Sequence, residues 1–318
     1  MERIAVIGAG LMGHGIAQVF AAAGHEVAVT DIDAARLASV GGRIGGNLAR
    51  MVAHGVGPAD PPSTILKRIQ TVPDLAAACA GAHVVVEAAY EDMALKQRLF
   101  AELDAACPPR TVLCSNTSTF RITEVAARAT HRERILGTHF WLPPYLVPLV
   151  EVVRTAQTAP ESVDVVIGLL QRAGKHPVRV QKDVAGFVGN RLQHALWREA
   201  FAIIDEGICD PGTVDEVIRN GFGLRLAALG PVENADVIGL DLTLAIHNYL
   251  LRHLNADAVP SRTLRAKVAR GELGLKSGGG FLPWSEAAIA ESRDRVTAHL
   301  MRALRPVRSG GNPERPDR

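Results

Sequence analysis

The stretch from Ile4 to Asp31, IAVIGAGLMGHGIAQVFAAAGHEVAVTD, constrains the fold more than any other part of the chain. Ile4 to Ile7 has the length and β-branching of a buried strand. Gly8, Gly10 and Gly13 follow at once in the spacing Gly-X-Gly-X-X-Gly. A helical run from Ile16 to Ala23 comes next, with Gly24 as its C-terminal cap. A second apolar strand, Val27 to Val29, leads to Asp31. Each glycine has a physical task. Gly8 permits the tight turn, Gly10 lets a pyrophosphate approach bare backbone, and Gly13 lets the helix pack close to the strand. The backbone at Leu11 and Met12 opens the helix, so unpaired N–H groups and a partial positive charge face the phosphates. Asp31 stands where a carboxylate accepts hydrogen bonds from both ribose hydroxyls and repels a 2′-phosphate, which favours NAD over NADP. His14, inside the turn, receives no role from the motif.

The remaining chain extends this start. Strands are expected at 69–72, 83–87, 111–115, 135–140, 149–153 and 178–180. Helices are expected at 33–53, 93–106, 120–128 and 162–173, with a loop at 58–62. Alternation of this kind predicts an α/β domain, a Rossmann-type doubly wound sheet covered on both faces, over residues 1–182. No later stretch reads as a buried strand. Helices over 186–207, 212–219, 231–254, 261–270 and 285–304 predict a smaller all-helical C-terminal domain over 183–306. The tail from 307 to 318 is expected to be disordered. A helical unit with long apolar faces completes its core against a copy of itself, so a homodimer is expected.

With 318 residues, 47% of them hydrophobic, and a net charge of +2, the chain can bury two cores. No charge run suggests nucleic acid or a lipid surface, and no apolar run spans a membrane. The first strand begins at residue 4, so no leader is expected and the expected compartment is the cytoplasm. Cys79, Cys107, Cys114 and Cys209 lack Cys-X-X-Cys spacing and read as reduced thiols without metal.

Four later blocks occur in an order and spacing that resembles the 3-hydroxyacyl-CoA dehydrogenase family. They are SNTST at 115–119, GTHFW at 137–141, PLVEVV at 148–153 and KDVAGFVGNRL at 182–192, and the likeness continues to GLKSGGGF at 274–281. Within the family, PPYLVPLVEVV and GFVGNRLQHALWREA are most similar to the side branch of L-gulonate 3-dehydrogenase and lambda-crystallin, whose substrates carry no CoA. The resemblance implies an NAD-dependent dehydrogenase acting on a small-molecule substrate. His139, at the end of a strand expected to be parallel, would take the hydroxyl proton, which suits imidazole chemistry. Glu151 on the next strand would hold it. Ser118 and Asn190 match residues that hydrogen-bond the substrate oxygen. For Ser118 the competing reading is a helix N-cap, which is compatible with that role; for Asn190 it is a solvent-facing polar position, disfavoured because the residue lies just after Gly186. Asn116, Glu91 and Lys96 match contacts to the nicotinamide half of NAD, and Lys276 a further contact from the second domain. For Glu91 and Lys96 the competing reading is a solvated charge pair, and for Lys276 a surface lysine.

Three departures from the family pattern bear on the substrate. Leu142 replaces the usual Asn after HFW. Asn47 and His54 occupy the places of a serine and a lysine that contact CoA, with Arg43 and Arg50 nearby. Arg225 stands where acyl-CoA enzymes have proline; it reads either as a contact for a free substrate carboxylate or as a surface arginine. These readings favour oxidation of the 3-hydroxyl of a small L-3-hydroxy acid. An L-3-hydroxyacyl-CoA dehydrogenase, such as one acting on 3-hydroxybutyryl-CoA, is the alternative, and a non-catalytic, crystallin-like NAD-binding protein is the alternative of another kind. The 3-hydroxyisobutyrate and 6-phosphogluconate dehydrogenases share the glycine turn but use a lysine on the interdomain helix, where this chain has GFVGNR.

Overall fold

The computed structural model describes residues 1–304, so the expectation for the tail at 307–318 lies outside the described residues. The described residues divide into two compact units, Met1–Asn190 together with 297–304, and Arg191–Val296.

The first unit opens with β1 (Arg3–Ile7), α1 (Gly13–Ala22) and β2 (Glu26–Thr30). The region expected as one helix at 33–53 is two, α2 (Ala34–Ala38), capped by the Asp33 side chain, and α3 (Val40–Ala53). Two short helices were not anticipated. One is α4 (Pro62–Lys67), with proline in its first turn; the other is α5 (Leu75–Cys79), capped by Asp74, and between them lies β3 (Ile69–Thr71). Then follow β4 (Val84–Glu87), α6 (Met93–Ala106), β5 (Val112–Ser115) and the short α7 (Ile122–Val125). The unit's sheet closes with β6 (Ile135–Phe140), β7 (Leu149–Val153), α8 (Pro160–Arg172) and β8 (His176–Val180).

These strands form an eight-stranded sheet in the order β3-β2-β1-β4-β5-β6-β7-β8. Every neighbouring pair is parallel except β6–β7. His139 therefore sits on a strand that is parallel to one neighbour and antiparallel to the other, a correction to the all-parallel expectation. The reason is length: residues 141–148 are too few for a crossover helix, so the chain turns straight back. The alternation of side chains divides the core. Ile4, Val6, Leu136, Phe140, Val150 and Val152 pack with α1, α3 and α8 on one face. Ala5, Ile7, Ile135 and Val153 pack with Phe100, Leu103 and Phe187 on the other. His139 and Glu151 share the pleat of Ile135 and Val153, so both point to this second face.

The second unit holds most of α9 (Gly189–Asp205), then α10 (Pro211–Asn220), α11 (Pro231–Ile238), α12 (Leu240–Leu250) and α13 (Arg262–Ala269). The single helix expected at 231–254 is interrupted at Gly239, whose φ of 98° no helix can continue through. The last helix, α14 (Glu286–Ala303), ends in the first unit. Among the described residues no helix is long and apolar enough to cross a membrane.

Candidate active site

The glycine turn is built as its spacing requires. Gly8 has φ +102°, and a Cβ there would lie 2.5 Å from the carbonyl oxygen of Ala88. A Cβ on Gly13 would lie 1.7 Å from the carbonyl oxygen of Gly8, so helix and strand meet at a distance only glycine allows. Nothing lies within 4 Å of a Cβ built on Gly10. The turn thus presents open bare backbone at the C-terminal end of β1, beside the point where strand order reverses between β1 and β4. α1 has no side-chain N-cap and no acidic residue in its first turn. The N–H groups of Gly10, Leu11 and Met12 have no acceptor among the described residues. This donor set fits the diphosphate of a dinucleotide. Asp31 Oδ2 accepts from the Ala9 N–H at 2.7 Å and Oδ1 from the Asp33 N–H at 2.8 Å, which fixes the carboxylate beside the turn.

His139 and Glu151 are Cα partners in the β6–β7 register. Nδ1 of the imidazole lies 2.7 Å from Glu151 Oε2. The other carboxylate oxygen, Oε1, accepts from the N–H groups of Val188 and Gly189, each at 3.0 Å. Burial pushes the Glu151 carboxyl up, but the bonds from His139, Gly189 and Val188 outweigh it and hold the group below its ordinary value. Trp141 and Phe187 flank the imidazole, with ring centroids 5.0 and 5.8 Å away. His139 is 5% exposed. Its Nε2 has no partner among the described residues and is the nitrogen left for a proton transfer.

Asn190 donates from Nδ2 to the carbonyl oxygen of Ser118 at 2.8 Å, which ties the start of α9 to the SNTST loop. It is a positioned group, not a solvent-facing one. Ser118 does not cap α7. Asp183 does so, accepting from the N–H groups of Ile122 and Thr123 at 2.9 and 2.7 Å, and the Ser118 side chain is half-buried, its hydroxyl 3.3 Å from that of Thr119. Asn116 Oδ1 accepts from the Phe140 N–H, one residue beyond His139.

Glu91 and Lys96 do pair, but only Glu91 meets solvent. Lys96 is 1% exposed, and its ammonium lies 2.7 Å from Glu87 Oε1 and 3.2 Å from Glu91 Oε2. It also donates to the carbonyl oxygen of Ala89, so its three hydrogens are all engaged inside the chain. Glu91 in turn accepts from the Thr117 hydroxyl and the Ser118 N–H. Lys96 therefore acts on the SNTST loop through Glu91. Glu87, which anchors Lys96, the Ala89 N–H and the Ser115 hydroxyl, was missed by sequence reasoning. A carboxylate closing the apolar run HVVVE was its one visible sign. The Val188 and Gly189 N–H groups were also missed. Lys276 and Arg225 belong to the second unit, each with an exposed side chain; Arg225 follows a turn of 3₁₀ helix, Phe222–Leu224.

The profile of the 3-hydroxyacyl-CoA dehydrogenase NAD-binding domain matches residues 3–184, and that of the 3-hydroxyacyl-CoA dehydrogenase C-terminal domain matches residues 186–284. The 3-hydroxyadipyl-CoA dehydrogenase of Escherichia coli K12 is 37% identical over 286 residues, 89% of this chain; the match spans 59% of that relative's length. The human lambda-crystallin homolog is 35% identical over 231 residues, 72% of each chain. A solved structure of 5-formyl-3-hydroxy-2-methylpyridine 4-carboxylic acid 5-dehydrogenase, an NAD-dependent dismutase, superposes with a TM-score of 0.88 at 29% identity. It covers 96% of this chain and 98% of its own.

Proposed function

We propose, on the premise that this chain belongs to the 3-hydroxyacyl-CoA dehydrogenase family, that it oxidises the 3-hydroxyl of a small hydroxy acid that carries no CoA. The observation that carries the chemistry is the 2.7 Å bond between His139 and Glu151 with Nε2 left open. Nε2 takes the hydroxyl proton of the substrate. Glu151 keeps the second proton on Nδ1 and balances the charge of the imidazolium as it forms. The Val188 and Gly189 N–H groups keep the carboxylate from rotating away. Ser118 and Asn190 orient the substrate oxygen, Asn116 fixes the backbone after His139, and Glu91, held by Lys96, shapes the loop on the nicotinamide side. NAD, the family's cofactor, supplies the hydride acceptor when bound; Gly8, Gly10, Leu11, Met12, Gly13 and Asp31 would hold it.

Two observations support a substrate without CoA. Asn47, at a place where the resemblance implies a CoA contact, is buried; its amide donates to Gln18 Oε1 and its oxygen accepts from the Tyr145 hydroxyl, both at 3.1 Å. It has little left for a ligand. The solved relative at TM-score 0.88 acts on a pyridine carboxylate. Oxidation of a 3-hydroxyacyl-CoA is the second reading, supported by the name of the Escherichia coli relative. The deciding experiment measures NADH formation from a panel of free 3-hydroxy acids beside their CoA thioesters. Turnover of free acids, with KM raised in Arg225→Ala, supports the proposal. Turnover of thioesters alone replaces it with the second reading. NADH binding without any turnover reduces the protein to a crystallin-like binder.

A further inference from the structure

The diphosphate-binding peptides are held from behind. Arg43, on α3, donates from Nη1 to the carbonyl oxygen of Ala9 at 2.7 Å and from Nη2 to that of Gly10 at 3.1 Å. The guanidinium carries only donors, so both carbonyls are turned toward it. A trans peptide is planar, and the N–H of each following residue points the opposite way. The carbonyls of Ala9 and Gly10 thus dictate where the N–H groups of Gly10 and Leu11 aim, and these are donors with no acceptor among the described residues.

Arg43 is itself seated. Its Nη2 lies 2.8 Å from Nδ1 of His14, and that nitrogen lies 2.8 Å from the carbonyl oxygen of Gly10. Nε2 of His14 is 3.3 Å from the amide nitrogen of Asn47. The imidazole is buried, which lowers its pKa against the bond to Gly10, and the Arg43 charge lowers it further. A neutral ring adds no charge repulsion beside a permanent cation, and its Nδ1 serves either as acceptor for Arg43 or as donor to Gly10, one at a time.

We infer that Arg43, packed against His14, is a positioning residue of the dinucleotide site: it orients the Gly10 and Leu11 N–H groups and sets the affinity for the diphosphate. The inference rests on the NAD reading and adds to it a residue that the glycine spacing does not contain. Arg43 reaches the phosphates through two peptides, so its removal changes binding more than chemistry.

The test compares wild type, Arg43→Met and Arg43→Lys by direct titration with NADH, with ADP-ribose, which keeps the diphosphate, and with adenosine, which lacks it. Arg43→Met should weaken NADH and ADP-ribose by about 10- to 100-fold, leaving adenosine within about twofold and kcat at saturating NAD within about threefold. Arg43→Lys keeps a cation that reaches one carbonyl in place of two and should fall between. A general loosening of the fold would weaken adenosine as much as ADP-ribose. Equal loss for both ligands, or NADH affinity within about twofold of wild type in Arg43→Met, overturns the inference. A wild-type protein that binds no NADH overturns the cofactor reading itself and the inference with it.

Discussion

Glu151 faces His139 directly across the one antiparallel pair of the sheet, carboxylate oxygen to imidazole nitrogen at 2.7 Å. Paired residues on adjacent strands keep their side chains side by side on one face, so the backbone register alone sets the contact.

Glu151→Gln should keep the fold and lower kcat by about 10²-fold, with KM for NAD little changed, because the amide cannot balance an imidazolium. The same variant has a pH signature. The carboxyl is held below its ordinary value of 4.5, so the unfolded chain binds its proton more readily. Glu151 then contributes stability that is fully present above 4.5 and is lost as pH falls through the lower, folded value. The stability gap between wild type and Glu151→Gln should shrink in that acid window, as read by denaturant titration at stepped pH.

Gly189→Ala tests the back of the dyad. A Cβ there would lie 2.3 Å from a ring carbon of Trp141 and 3.3 Å from Glu151 Oε2. Trp141 must move, and it flanks His139. Overpacking of this kind costs about 1–3 kcal/mol, and kcat should fall with it. Calorimetry and kinetics on the same preparation check both.

Lys175 pins the 141–148 return between the two strands of the dyad. Its ammonium donates to the carbonyl oxygen of Val147 at 3.0 Å and to that of Pro144. Burial pushes its pKa down from 10.5 to about 8. Between those values the unfolded chain carries a proton that the folded chain lacks, so stability should rise with pH from about 8 to 10.5. The neutral amine keeps two hydrogens for its two carbonyls. Lys175→Met should lose this slope and be less stable throughout, as measured by denaturant midpoints across the range.

The helices of the second unit expose long apolar side chains, Leu240 at 63% and Leu244 at 62% among them. Water is a poor partner for such a face, and a second copy would cover it. Sedimentation should return a dimer, and Leu240→Glu with Leu244→Glu should shift it to monomer.

Much of this was legible beforehand. β6 and β7 were expected at their observed bounds, because apolar runs of this length bordered by turn residues have few alternatives. The direction of β7 was not legible, since periodicity is blind to direction; the short connection held the answer. α4 and α5 were hidden by length, being only six and five residues, though Asp74 ahead of LAAAC was a cap signal. At the site, His139 and Glu151 could be paired through resemblance. The Val188 and Gly189 N–H groups could not, because backbone donors 37 and 38 residues away leave no mark in residue type. Arg43 was noticed only as a basic neighbour of Asn47; its contact with the glycine turn arises from the packing of α3 on α1.

The most direct measurement is NADH formation by wild type and His139→Gln at saturating NAD with a free 3-hydroxy acid, alongside NADH affinity for both. The account predicts steady turnover in wild type, a loss of about 10³-fold in the variant, and NADH affinities within about twofold of each other. A variant that keeps turnover within about tenfold of wild type while binding NADH equally would contradict it, because the base would then lie elsewhere.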